Sequence, residues 1–308
     1  MERPRAYRLS VFPHSLDAKE DGGNPTTIFL DADNLSSGQM QALTKEGGHE
    51  CGFVLRGRAG VENPSNFTMR YWVPNHEMEM CGHATVGAVW IMDQLGLLPP
   101  DGRILISTKS GEVEARVDRE GGSGSETRVF VSQPAGAVED LPDNRVLETL
   151  SSLGITPDEL APGYKIQNGC TSRMKTLIPL KNHNILDRLR LDPDAVLEVC
   201  EKIHSTGLYP YAVINAEDQV VEARQFPKSA GYAEDPATGI AAAALAFGLL
   251  RNGMLPIQTT RPLFVRQGWF MGKPSEIHVL FRLRQGNVEG CWISGKVKWM
   301  RSDKHNDE

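Results

Sequence analysis

The sequence predicts an α+β protein made of two similar halves, each with a sheet wrapped around one buried helix. A segment near residues 238–252 is apolar on every side of a helical pattern, which is typical of a helix buried all round. A second helix, near residues 82–95, begins and ends in similar phrases. Runs with the two-residue period of strands fill much of the chain around both helices.

The first half is predicted to be mostly strands. Ser36 or Ser37 starts an early helix, which Gly47-Gly48 ends. The stretch 120–125 is rich in glycine and serine between two strand-like runs, as expected of an exposed hairpin tip. The predicted strands cover residues 7–12, 26–30, 51–55, 67–73, 103–107, 113–117 and 128–132.

The second half repeats this theme. Strands are predicted at residues 174–178, 211–215 and 220–224, with helices near 193–203 and 238–252. We divide the chain into an N-terminal half, 1–128, and a C-terminal half, 129–308, whose last strand can also pack on the first half.

The two apolar helices begin with related phrases, Cys81-Gly82-His83-Ala84-Thr85 and Asp235-Pro236-Ala237-Thr238-Gly239. The phrases start at residues 81 and 235, which is half the chain apart. A chance likeness between two alanine-rich helices is the alternative. Because the starts, the ends and the spacing all agree, the pattern favours an internal duplication.

Composition narrows the class of partner. Lys and Arg number 33 against 39 Asp and Glu, for a net charge of −6 without basic clusters. This argues against nucleic acid or anionic membrane as a partner. No apolar run is long enough to span a bilayer, and the N-terminus lacks a signal-peptide pattern, so we expect a soluble cytoplasmic protein.

The five cysteines are widely spaced and form no C-x-x-C pair, so neither a zinc site nor a redox dithiol is predicted. Glycine-rich phosphate motifs are also missing, and His49, His76 and His83 lack metal-site spacing on one element. We therefore expect no cofactor and no metal, with a small molecule as the substrate.

The two helix starts predict a binding site. Unpaired backbone N–H groups and the positive end of the helix dipole attract anions, and small residues let an anion come close. The same small residues would also allow tight helix packing. The residues expected to contact substrate there are Gly82, Ala84, Thr238, Gly239 and Ile240, together with His49.

Three ionisable residues are candidates for proton transfer. Glu50, between a glycine turn and an apolar strand, is either an exposed turn carboxylate or a buried acid with a raised pKa. His83 either packs at the first helix start or takes part in hydrogen bonding there. Asp235 precedes Pro236, which suits a first helical position, so it either caps the helix or acts in catalysis.

With these phrases, the chain resembles the phenazine-biosynthesis PhzF-like family, within the diaminopimelate epimerase-like fold. The matching phrases run in order along nearly the whole chain, and those with C-G-H-A-T and E-D-P-A-T-G are the most specific. The matching segments are Val11-Phe12, Gly23-Asn24-Pro25, Leu35-Ser36, Gln39-Met40, Glu50, Cys81-Gly82-His83-Ala84-Thr85, Gln133-Pro134, Ala223-Arg224, Phe226, Glu234-Asp235-Pro236-Ala237-Thr238-Gly239 and Gln267-Gly268.

The resemblance implies two pseudo-symmetric halves, each a rolled, mostly antiparallel sheet around a central helix, with the active site between them. It also implies no cofactor and a homodimer. It assigns proton shuttling in an isomerisation to Glu50, assisted by His83 and Asp235. Here His49 and Ile240 stand where the family often has serine, and this favours a less polar substrate than the phenazine precursor.

Two other functions remain open. Related epimerases of this fold use one cysteine at each helix start, and Cys81 occupies the first such place. The second start carries Asp235 and Pro236 instead, so an epimerase would have to pair Cys81 with a carboxylate. The other alternative is a binding protein without catalytic activity on the same fold.

Overall fold

The computed structural model describes residues 4–17, 19–56, 67–119 and 127–300. Within these ranges the chain forms a mixed α+β fold, as predicted. The helices are α1 (Ser37–Gly47), α2 (Gly82–Gln94), α3 (Asp143–Ser151), α4 (His183–Asp187), α5 (Pro193–Lys202) and α6 (Gly239–Asn252). The strands are β1 (Arg5–Val11), β2 (Asn24–Leu30), β3 (Cys51–Leu55), β4 (Phe67–Trp72), β5 (Glu77–Met78), β6 (Arg103–Thr108), β7 (Gly111–Arg119), β8 (Thr127–Pro134), β9 (Ala137–Asp140), β10 (Gln167–Cys170), β11 (Met174–Pro179), β12 (Gly207–Asn215), β13 (Val220–Ala223), β14 (Phe226–Pro227), β15 (Leu263–Gln267), β16 (Ser275–Arg284), β17 (Asn287–Gly295) and β18 (Val297–Trp299).

The strand pairing repeats. In the first repeat, β1 to β8, antiparallel and parallel pairings alternate. Strand β1 is antiparallel to β2, and β2 is parallel to β3. Strand β3 is in turn antiparallel to β4, and β4 is parallel to β6. Strands β10, β11, β12, β13 and β15 of the second repeat, β10 to β17, follow the same sequence of pairings. Each repeat then closes with two antiparallel pairings. The duplication inferred from the two helices therefore extends to the whole order of strands.

The repeats are joined by exchanged strands. Strands β8 and β17, the last of each repeat, pair with each other. The strand that follows each repeat then pairs with the first strand of the other repeat, β9 with β10 and β18 with β1. The division that we placed after residue 128 falls inside β8, which contacts both repeats.

The central helices form the core. Every residue of α2 from Gly82 to Met92 is buried, as is every residue of α6 from Gly239 to Leu249. Both helices and the strands around them share one continuous hydrophobic cluster. The predicted bounds of both helices are confirmed to within one residue. Their complete burial follows from their composition, because a helix that is apolar on all sides is stable only when it is surrounded.

The two helices begin side by side. A side chain at Gly82 would place its Cβ 2.7 Å from Cδ1 of Ile293, and one at Gly239 would place its Cβ 2.8 Å from the same atom. Both distances are too short for a real contact, so only glycine fits at either start. The two helix N-termini thus converge on one β17 side chain.

Strands β15 to β18, between residues 263 and 299, were not predicted. A signal was present, since Ile277, Val279 and Phe281 alternate inward along β16 with half-buried residues between them.

The two strands that flank the predicted hairpin tip at residues 120–125 are paired, and the last described pair is Arg119 with Thr127. The tip itself lies outside the described residues. Among the helices of the described ranges, none combines the length and the apolar character needed to cross a membrane.

Candidate active site

Glu50 lies at the point where α1 returns to the sheet. Gly48 adopts a left-handed conformation (φ 68°) and ends α1, and β3 begins directly after Glu50. The Thr26 hydroxyl donates to the Glu50 carbonyl at 3.0 Å and fixes the backbone. The side chain is only 11% exposed, which rules out the exposed turn carboxylate that its local sequence also allowed.

Two partners hold the Glu50 carboxyl. The Tyr232 hydroxyl donates to Oε1 at 3.1 Å, and Nε2 of His83 lies 3.1 Å from Oε2. Burial raises the pKa of Glu50, while the Tyr232 hydrogen bond and the nearby cations lower it. The net result is a raised pKa, which favours a carboxyl that can both accept and donate a proton.

His83 is neutral at neutral pH, because burial lowers the pKa of its imidazole to about 4. Its Nδ1 lies 3.4 Å from the sulfur of Cys81, the N-cap residue of α2. A neutral imidazole can donate to a Glu50 carboxylate or accept from a protonated Glu50. The contact between them therefore survives either protonation state of the acid.

Asp235 precedes α6 but does not cap it. Residue 235 is extended and forms an isolated bridge with Gln225, so the helix begins only at Gly239, with Thr238 as its N-cap residue. The helical position expected for Pro236 and the capping role considered for Asp235 are therefore wrong.

Both oxygens of Asp235 accept hydrogen bonds. Asn24 donates from Nδ2 to Oδ1 at 2.6 Å, and the Thr238 hydroxyl donates to Oδ2. Burial, and then the charge of Glu50, raise the pKa of Asp235 to about 7. The site thus holds two buried carboxyls, each of which makes ionisation of the other less favourable.

Motif residues anchor these groups. Gln267 donates from Nε2 to the Asp235 carbonyl at 2.6 Å and accepts from the Thr238 backbone at 3.3 Å. Arg224 and Glu234 form a buried two-pronged ion pair at 2.9 and 2.6 Å. This ion pair fixes the segment that precedes α6, and Tyr232 lies on that segment.

A cavity of about 410 Å³ opens onto the site. Glu50, Asp235 and Thr238 line it, as do residues that sequence reasoning missed: Ser172, Arg173, Lys175, Gln225 and Tyr232. An available signal was the presence of two cations, Arg173 and Lys175, at the point where the chain enters β11. Nothing local to Tyr232 or Asn24 indicated that either would reach a carboxyl of the site.

The other predicted contact residues lie behind this cavity. Gly82, Ala84, Gly239 and Ile240 are buried around the two helix starts and do not line it. The His49 ring turns toward Thr27, whose hydroxyl lies 2.9 Å from Nε2. Contact of these five residues with substrate therefore stays a prediction.

One group of side chains has the composition of a metal site. The ligand atoms of Glu50, Cys81 and His83 lie within 4.8 Å of one another. Neutral imidazole and carboxylate both bind divalent metals, but a cysteine binds as the thiolate. Burial raises the pKa of Cys81 well above 9, so metal binding would first have to remove its proton.

Comparison with known proteins shows the family and the fold of this chain. The family described as "Phenazine biosynthesis-like protein" (PhzC-PhzF) matches residues 17–298. An Escherichia coli K12 protein named "Uncharacterized isomerase YddE" is 30% identical over 95% of both chains. The Pseudomonas chlororaphis protein named trans-2,3-dihydro-3-hydroxyanthranilate isomerase is 29% identical over 87% of both chains. A Bacillus anthracis structure described as a PhzF-family protein has a TM-score of 0.83 and 24% identity over 98% of both chains.

Proposed function

This chain belongs to the phenazine biosynthesis-like protein family and is an isomerase, and we propose that Glu50 is its general base and acid. The substrate is a small, carboxylate-bearing molecule of secondary metabolism, and no cofactor takes part. The observation that carries the proposal is the Glu50 carboxyl, which is buried at a cavity and held by Tyr232 and His83.

The reaction is a proton shift. The Glu50 carboxylate removes a proton from one carbon, the electron pair moves through an adjacent double bond, and the protonated Glu50 returns the proton to another carbon. Neutral His83 keeps Oε2 oriented in both states, and Asp235 lies close enough to influence the charge of Glu50. The low exposure of the Glu50 side chain, 11%, limits exchange of this proton with bulk water between the two steps.

The test is isomerisation in D₂O followed by NMR. Trans-2,3-dihydro-3-hydroxyanthranilate, the substrate in the name of the P. chlororaphis relative, is the first compound to assay, followed by dihydro-aromatic acids that carry fewer polar groups. Glu50→Gln should lower turnover by roughly 10²- to 10⁴-fold. Glu46→Gln, an exposed change on α1 four residues before Glu50, is the matched control and should leave turnover intact.

Full activity of a folded Glu50→Gln variant would end this proposal. Deuterium that enters at a stereocentre with inversion would instead support an epimerase that uses Cys81. The raised pKa of the buried Cys81 thiol makes that alternative the weaker one. If no compound turns over and ligands bind equally well to both variants, the result favours a binding protein on the same fold.

A further inference from the structure

Two cations beside the catalytic carboxyls have no counter-ion. Arg173 and Lys175 line the cavity, and neither forms an ion pair with any residue of the described ranges. A third lining cation, Lys228, differs from them in lying 3.6 Å from Glu201. The carboxyls of Glu50 and Asp235 line the same cavity and act electrostatically on Lys175, but within the described residues neither Arg173 nor Lys175 forms a direct ion pair with a carboxylate.

Lys175 is the more unusual of the two. It is 5% exposed and lines the same cavity as Arg173, which directly precedes β11. A buried ammonium without a partner is costly, because its lost hydration is not replaced. Burial, followed by the charge of Arg173, lowers the pKa of Lys175 to about 8, so it remains mostly protonated at pH 7.

A third group points to the same ligand. Gln225 is 1% exposed and lines the cavity, and neither its amide nitrogen nor its amide oxygen has a hydrogen-bond partner among the described residues. Buried amides in folded proteins are nearly always hydrogen-bonded. An unpaired donor next to two unpaired cations fits an anion with several acceptor atoms.

We propose that Arg173 and Lys175 form the subsite that binds the substrate's carboxylate, with Gln225 donating a further hydrogen bond. The planar guanidinium matches the two oxygens of a carboxylate, and the ammonium adds a point charge. This assignment rests on the proposed function, since it identifies the anion as part of the isomerase substrate. It places the carboxylate where the chain enters β11 and leaves the reacting carbons beside Glu50.

The experiment is calorimetric titration of the full chain with benzoate and with benzamide, its uncharged isostere. Wild type should bind benzoate more tightly than benzamide. Lys175→Met keeps most of the length of the side chain without the charge and should weaken benzoate binding by about tenfold or more, as should Arg173→Gln. Neither variant should change benzamide binding, and Lys181→Met, an exposed change just after β11, should match wild type.

Equal affinity of wild type for both probes would overturn the subsite. A Lys175→Met variant that weakens both probes equally, with an unchanged circular dichroism spectrum, would assign Lys175 a packing role instead. Because this titration needs no turnover, its failure leaves the role of Glu50 untouched. Conversely, an active Glu50→Gln variant would refute the proposed chemistry while the titration could still support an anion site.

Discussion

The hydroxyl of Tyr232 donates a 3.1 Å hydrogen bond to Oε1 of Glu50, which lies 182 residues earlier in the chain. Glu50 belongs to the first repeat, and Tyr232 precedes the central helix of the second. The bond therefore joins the repeats directly at the proposed base. Tyr232 remains a donor throughout the working range, because burial and the charge of Glu50 raise its pKa.

Tyr232→Phe should move the acidic limb of the pH–rate profile to higher pH. The hydroxyl stabilises the charged form of Glu50, so its loss raises the pKa of that carboxyl further. A shift of about one pH unit is expected from the loss of one hydrogen bond to a charged group. Tyr7→Phe, on β1 outside the cavity, serves as the control, and an unmoved limb in Tyr232→Phe would show that Glu50 does not set the profile.

Asp235→Asn should stabilise the protein relative to wild type as the pH rises. The folded pKa of about 7 lies above the ordinary value of 3.8, so wild type is most stable while Asp235 is protonated and loses stability as the pH rises toward and through 7. Asparagine removes this dependence.

Urea denaturation at pH 5 and pH 8 measures the effect. The difference in the free energy of unfolding between Asp235→Asn and wild type should grow by about 2 kcal/mol across this range. Asp158→Asn, an exposed substitution, should show a constant difference. A constant difference in Asp235→Asn as well would mean that the folded Asp235 has an ordinary pKa.

Iodoacetamide should label Cys170 before Cys81 at pH 7.5. The thiolate is the reactive form, and burial raises the pKa of Cys81 well above 9, whereas Cys170 is only half-buried. Peptide mass spectrometry over time gives the order of labelling. Early labelling of Cys81 would reveal an activated thiol and would support the alternative function, an epimerase that uses Cys81.

Dialysis against a strong chelator should leave turnover unchanged. Glu50 and His83 already contact each other, and the third donor of their cluster is a protonated thiol, so no group there requires a cation. The measurement is activity and bound zinc before and after dialysis. Activity that falls with the metal content and returns with added Zn²⁺ would turn the Glu50, Cys81 and His83 cluster into a functional metal site.

The sequence by itself determined those features of the chain that depend on local pattern. Helices α2 and α6 were predictable because an all-apolar helical pattern requires burial, and β3 because a short apolar run follows a glycine turn. The duplicated helix starts also indicated where the repeats would meet. Glu50, His83 and Asp235 were candidates from their local sequence, with structural roles equally open, and the family resemblance favoured their catalytic roles.

The tertiary structure alone decided which side chains meet at the cavity. Asn24 reaches Asp235 across 211 residues, and Arg173 and Lys175 lie near Glu50 only because the two repeats exchange strands around a common core. Hydrophobic periodicity reports which face of an element is buried, but not which distant element covers that face. The burial that shifts the pKa values of Glu50 and Asp235 depends on this covering, so their chemistry was decided by packing and not by local sequence.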